Sequence, residues 1–224
     1  YNLGDKFRFD NVTTTEKMFY KNGGKKITFT HFNAPKNTTG ANMFAESHAL
    51  EISIPEFNLP EVTDLSHMFE KALVRKVILP SEVHTGKLEN VYRMFYLAEY
   101  LESISPINLD THGVTSMEDM FRSVSSSRTG LLEITLGPQF SLSKVTKTNA
   151  MFYGSRPKKI SFSSFNAPEL TDMEYMFASS AVQEVDLSNN IYTPKLTNIT
   201  KLFSNDVYLS KISEINFNTD NITS

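Results

Sequence analysis

The stretch Val62-Thr63-Asp64-Leu65-Ser66-His67-Met68-Phe69 decides how the rest of the chain is read. It returns almost unchanged as Leu170-Thr171-Asp172-Met173-Glu174-Tyr175-Met176-Phe177. Its closing Met-Phe pair begins at Met18, Met43, Met68, Met94, Met120, Met151 and Met176, with a Leu-Phe copy at Leu202. Successive pairs lie 25, 25, 26, 26, 31, 25 and 26 residues apart. Recurrence at this period marks one structural unit copied end to end. Residues 1–224 therefore read as a single solenoid domain, with partial units at 1–19 and 204–224.

With the Met of each pair as position 0, apolar residues recur three and six positions upstream, as Val62 and Leu65 do before Met68. Spacings of three, with Phe at +1, predict one face of a short helix. Thr stands at −5 in seven of eight copies (Thr13, Thr38, Thr63, Thr115, Thr146, Thr171, Thr197), where it reads as a helix cap. Glu16, Glu118 and Glu174 complete capping-box spacings, and Asp64 and Asp172 fall where a helix dipole favours negative charge.

Eight residues after most of the Phe residues comes an apolar-x-apolar triplet, such as Ile27-Thr28-Phe29, Ile52-Ser53-Ile54 or Ile160-Ser161-Phe162. Period two with β-branched residues predicts a strand with one buried face. Ile104-Ser105-Pro106 breaks the pattern at its third residue. Phe32-Asn33, Phe57-Asn58 and Phe165-Asn166 each run through one residue to a proline and read as turns. The expected fold class is thus α/β: a solenoid of about eight coils, each a short parallel strand plus a short helix.

Repeated columns build such a scaffold, so function is sought in the columns that vary. The residue before each triplet reads Lys26, Glu51, Lys76, Ser103, Glu133, Lys159, Glu184 and Lys211, a ladder of opposite charges on in-register strands. The middle residue is hydroxylic at Thr28, Ser53, Ser105, Thr135 and Ser161, a candidate ligand-binding row on an open sheet face. The long interval after Met120 carries a polar loop, Ser123–Gly130, whose Arg128 joins that row as a candidate ligand-binding residue.

Composition excludes several classes. Net charge is −3 and pI near 6.0, which gives no basic field for nucleic acid. No apolar run approaches the ~18 residues of a membrane span, and cysteine is absent. The five histidines have no metal-ligand spacing, and neither a Gly-rich phosphate loop nor a Gly-x-Ser-x-Gly elbow occurs. Asp64, Asp172, Glu118 and Glu174 are absorbed by capping, and Glu51, Glu133 and Glu184 by the ladder. No catalytic residue, cofactor or metal is expected.

The Val62–Phe69 and Leu170–Phe177 stretches, with their strands and Phe-Asn-x-Pro segments, resemble the 25–26-residue repeat of bacterial surface proteins and mycoplasma-type lipoproteins, grouped with BspA-like leucine-rich repeats. The resemblance runs from about Val12 to Thr223. It implies a leucine-rich-repeat-like, right-handed coil, export, display on a bacterial cell surface, and a non-enzymatic role in binding protein or glycan ligands, host matrix among them; the chain is expected to be a monomer. A structural spacer or self-assembling stalk is the alternative. Ile215–Asn218 and Asn221–Thr223 match the run-up to another unit, so the array is expected to continue past Ser224.

Overall fold

The computed structural model describes residues 1–126, 132–189, 191–213, 215, 217 and 222. The chain winds into a parallel β-solenoid of about eight turns, and no helix occurs among the described residues. The α/β, leucine-rich-repeat-like expectation is therefore corrected to an all-β coil. Three ladders of parallel pairing run along the axis, one on each side of the coil.

The first ladder is built by the predicted triplets. Asn2–Leu3, Lys26–Phe29, Glu51–Ser53, Lys76–Ile78 and Ser103–Ile104 form one five-stranded sheet. Glu133–Leu136, Lys159–Phe162, Glu184–Asp186 and Lys211–Ile212 form a second, four-stranded one. The division falls at Pro106 for a definite reason. Pro106 occupies the column of Ile54, whose N–H donates to Ile78 O of the following coil at 2.9 Å, and proline has no N–H to give. Ile107 takes over that bond, donating to Thr135 O at 2.8 Å, and fills the core in place of the exposed proline.

The second ladder runs through the Phe-Asn segments. Phe57–Asn58 pairs with Val83–His84, and Phe165–Asn166 with Ile191–Tyr192. Phe57–Asn58 and Phe165–Asn166 are short strands, and the predicted turn follows each at its proline, where Val62 N–H donates to Leu59 O and Leu170 N–H to Ala167 O. Their Asn side chains add a second layer of bonding, with Asn58 Nδ2 donating to Asn33 Oδ1 at 2.8 Å.

The third side is where the predicted helices fail. In the second coil Met43, Ala45 and Ser47 N–H donate three residues back, to Gly40, Asn42 and Phe44 O. The alternating Gly40, Asn42, Phe44 and Glu46 N–H groups instead donate to the next coil, at Asp64, Ser66, Met68 and Glu70 O. Asn42 and Glu46 have φ of 56° and 53°, and the same −1 and +3 positions are left-handed in nearly every coil, Gly154 among them. A positive φ at the third residue is the mark of a type II turn. Turns repeat an apolar residue every three positions just as a short helix does, which is why the spacing misleads.

The caps are reassigned accordingly. The −4 residue, one after the conserved Thr, makes the local turn: Asp64 Oδ1 accepts Ser66 N–H at 2.8 Å, Asp172 Oδ1 accepts Glu174 N–H at 2.9 Å, and Ser116 Oγ accepts Glu118 N–H at 3.3 Å. The Thr itself points to its neighbour coil. Thr171 donates both N–H and Oγ1–H to Thr146 O, and Thr197 does the same to Thr171 O.

Inside, the Met-Phe columns are buried core as the repeat implies, with Met43, Met94, Met120 and Met176 at most 1% exposed. The Phe rings stack face to face from coil to coil. Centroids of Phe69–Phe95, Phe95–Phe121, Phe121–Phe152 and Phe152–Phe177 lie 4.8, 5.2, 5.2 and 5.5 Å apart, with planes within 8° of parallel. The column extends from Phe19 to Phe203. Each buried ring contributes roughly 1.5–3 kcal/mol by burial and about 0.5–1.5 kcal/mol more per aromatic pair.

Candidate functional site

The hydroxyl row lies where the register puts it. Thr28 pairs with Ser53, Ser53 with Ile78, Thr135 with Ser161 and Ser161 with Asp186. Ser105 N–H donates to Val77 O at 3.1 Å, which sets Ser105 beside Ile78. All are partly buried; Thr28, Ser53, Thr135 and Ser161 stand between buried neighbours, as the outward residues of a pleated strand must, whereas Ser105 lies between partly buried Ile104 and exposed Pro106. Ser161 Oγ lies 3.4 Å from Thr135 Oγ1, so these two hydroxyls are brought together. Thr28 and Ser53 lie in the first sheet, across the Pro106 break. Arg128 lies outside the described residues.

Beside this row runs the charge ladder. Lys26 reaches Glu51 at 2.8 Å, and Glu184 takes Lys159 on one side and Lys211 on the other, both at 2.9 Å. Hydrogen bonds from Lys211 and Lys159 hold the Glu184 carboxyl below the usual range, and the Lys26 bond does the same for Glu51. A second ladder escapes the sequence pattern, with Lys87 on Glu61 and Lys195 on Glu169, both at 2.6 Å. These exposed pairs fix register more than they stabilise.

Clefts open at the corner between the first and second ladders. One is lined by Leu79, Pro80, Ser105, Pro106 and Pro138 at the sheet break. Another holds His31, whose Nδ1 is 2.7 Å from Glu56 and whose Nε2 is 3.8 Å from Asp5. Among the described residues no cluster of three His, Asp or Glu side chains is arranged to hold a metal ion.

The most ordered polar surface is one that the sequence reading missed. It runs over the turn side from the third coil to the eighth. His67 meets the Tyr92 ring edge-on at 5.4 Å. The Arg93 guanidinium lies 4.9 Å from the Tyr92 ring centre and 4.5 Å from that of Tyr96. Asp119, buried in the next coil, accepts Arg93 Nε and Nη2 on Oδ2 at 3.1 Å each, and Arg122 Nη1 on Oδ1 at 3.2 Å. Arg122 stacks on Tyr153 at 4.7 Å, Tyr153 packs against Tyr175 at 6.2 Å, and Lys201 caps Tyr175 with an Nζ–Oη bond of 3.0 Å. Burial is the largest single influence on the Arg93 charge and opposes it, but the bonds to Asp119 together with the electrostatic pull of Tyr92, Asp119 and Tyr96 raise the guanidinium pKa. Burial raises the Tyr92 phenol.

These residues come from positions −2, −1 and +2 of different units. Within a unit, positions three or four apart share a face of a helix as well; the contacts that join the ridge, Arg93 with Asp119 and Arg122 with Tyr153, run from one coil to the next. The one visible sign is the clustering of Tyr and Arg in the −2, −1 and +2 columns of units four to seven.

The chain matches a family profile described as Mycoplasma protein of unknown function, DUF285, over residues 13–133, 75–190 and 133–224. It belongs to this family. The overlapping matches of DUF285 follow from the repeat, since one profile spans several coils and fits at more than one register. The DUF285 match supports the mycoplasma-type part of the resemblance and not its BspA-like leucine-rich-repeat part. No curated protein and no solved structure matched the chain.

Proposed function

We propose that this DUF285 chain is a non-enzymatic binding module, displayed on a bacterial cell surface, that takes protein or glycan ligands through side chains on its outer faces. The observation that carries the reading is the unbroken chain of contacts from His67 to Lys201, in which a buried Asp119 fixes Arg93 and Arg122 and these lie against Tyr rings. Tyr and Arg are the side chains richest in binding energy at recognition surfaces. Fixing them beforehand removes ordering costs that an unsupported surface meets on association. Display outside the cell is supported by the family resemblance.

The test is direct. Purified chain is titrated onto immobilised host-matrix glycoproteins, and intact cells carrying it are treated with protease. Saturable binding and loss of the chain from protease-treated cells are expected. Protection of the chain on intact cells overturns surface display, and absence of saturable binding favours the alternative of a spacer or stalk. For that alternative, solution mass should rise with concentration; a constant monomer mass excludes self-assembly.

A further inference from the structure

We infer that the Tyr–Arg ridge binds a linear, uncharged polysaccharide laid along the solenoid axis from Tyr92 to Lys201. This rests on the binding reading above and gives it a ligand class and a place. Three features of the ridge point to that ligand.

The first is periodicity. Coils succeed one another at ~4.8 Å, and the near-parallel Phe rings beneath keep successive coils in one orientation. Side chains on the ridge therefore sit on a straight, evenly spaced lattice, which a repeating polymer matches along its whole length. A globular protein surface without internal repeats offers no such match. Four coil steps separate Tyr92 from Lys201, on the order of 20 Å, enough for a short run of sugar rings.

The second is charge. Arg93, Arg122 and Lys201 are the cations of the ridge, and Asp119, Glu118 and Glu174 balance them, the last two acting electrostatically on Tyr92 and Lys201. Balanced charge gives no net field to steer an acidic or basic partner.

The third is chemistry. Partly exposed Tyr92, Tyr96, Tyr153 and Tyr175 offer aromatic surface, and guanidiniums offer planar donors in fixed orientation. A pyranose presents the complement: an apolar C–H face and a rim of neighbouring hydroxyls.

Affinity electrophoresis in gels cast with a β-glucan, a mannan or a galactan, with alginate as the anionic counterpart, tests the assignment. At least one neutral polymer should retard the chain. Tyr96→Ala and Tyr153→Ala should each weaken that retardation about tenfold, the loss of one stacking contact. Tyr153→Phe, which keeps the ring, should retain it, and a thermal melt of each variant confirms folding. Thr135→Ala with Ser161→Ala should leave retardation unchanged. Retardation by alginate alone, by none of the polymers, or surviving both Tyr→Ala changes overturns the proposal. Two of its failures leave the binding reading standing: retardation lost only in the Thr135/Ser161 variant, and ridge-dependent capture of a deglycosylated matrix protein by a chain that no polymer retards.

Discussion

Asp119 Oδ2 accepts two hydrogen bonds at 3.1 Å from Arg93, which stands one coil earlier, while its Oδ1 accepts Arg122 at 3.2 Å. A single carboxylate, its side chain only 5% exposed, thus ties two guanidiniums and two coils together. Asp119→Ala strands both cations at a partly dry site. Breaking a fully buried pair costs about 3–5 kcal/mol; with the arginines about a third exposed, a loss of roughly 2–3 kcal/mol is expected. Urea unfolding measures it, and a loss below ~0.5 kcal/mol, the scale of a surface change, would show that the triad carries no stability.

The turn lattice makes a prediction opposite to that of a helix. Lys71 is exposed and left-handed, with φ of 53°. Lys71→Gly should raise stability by about 0.5–1 kcal/mol, because glycine accepts that conformation without strain. In a helix the same change would cost about 1 kcal/mol. The sign of the shift in the denaturation midpoint separates the two.

Along the aromatic column the cost of a deletion depends on place. Phe95→Ala removes a fully buried ring stacked on both sides and should cost about 3–5 kcal/mol. Phe203→Ala, at a partly buried ring stacked on Phe177, should cost less than half as much. Equal losses by chemical denaturation would contradict a column whose energy comes from two-sided stacking.

Asp206 gives the eighth coil a pH dependence. Burial pushes its carboxyl from 3.8 up to about 6, against the bond it accepts from Ser180. The folded state therefore holds this proton more tightly than the unfolded chain does. Stability is unaffected by this group below about pH 4, falls as pH rises toward 6, and stays reduced above it. At about 1.4 kcal/mol per unit the shift corresponds to ~3 kcal/mol, reduced to roughly 1–2 kcal/mol by solvent screening at a half-buried site. Asp206→Asn should raise the melting temperature at pH 7 and leave it unchanged at pH 4.

The period, the buried Met and Phe columns and the pairing of Lys26 with Glu51 are legible in the sequence, because each depends only on like positions lying beside like positions. The turn conformation is hidden. The left-handed −1 column reads Lys17, Asn42, His67, Arg93, Asp119, Ala150, Tyr175 and Lys201, with no glycine to betray it. Inter-coil hydrogen bonds hold these residues in place, and no local propensity records that. The ridge is hidden for the same reason, since Arg93 meets Asp119, and Arg122 meets Tyr153, only through the register of one coil on the next.

Met120 and Met151 are 31 residues apart, against 25 or 26 elsewhere, yet Phe121 and Phe152 stack at 5.2 Å with planes 4° apart. The aromatic column does not register the extra length. Foreign segments grafted at that position should be carried as passengers, leaving the lattice in phase on both sides. The same indifference confines a change in that loop's length to the loop itself.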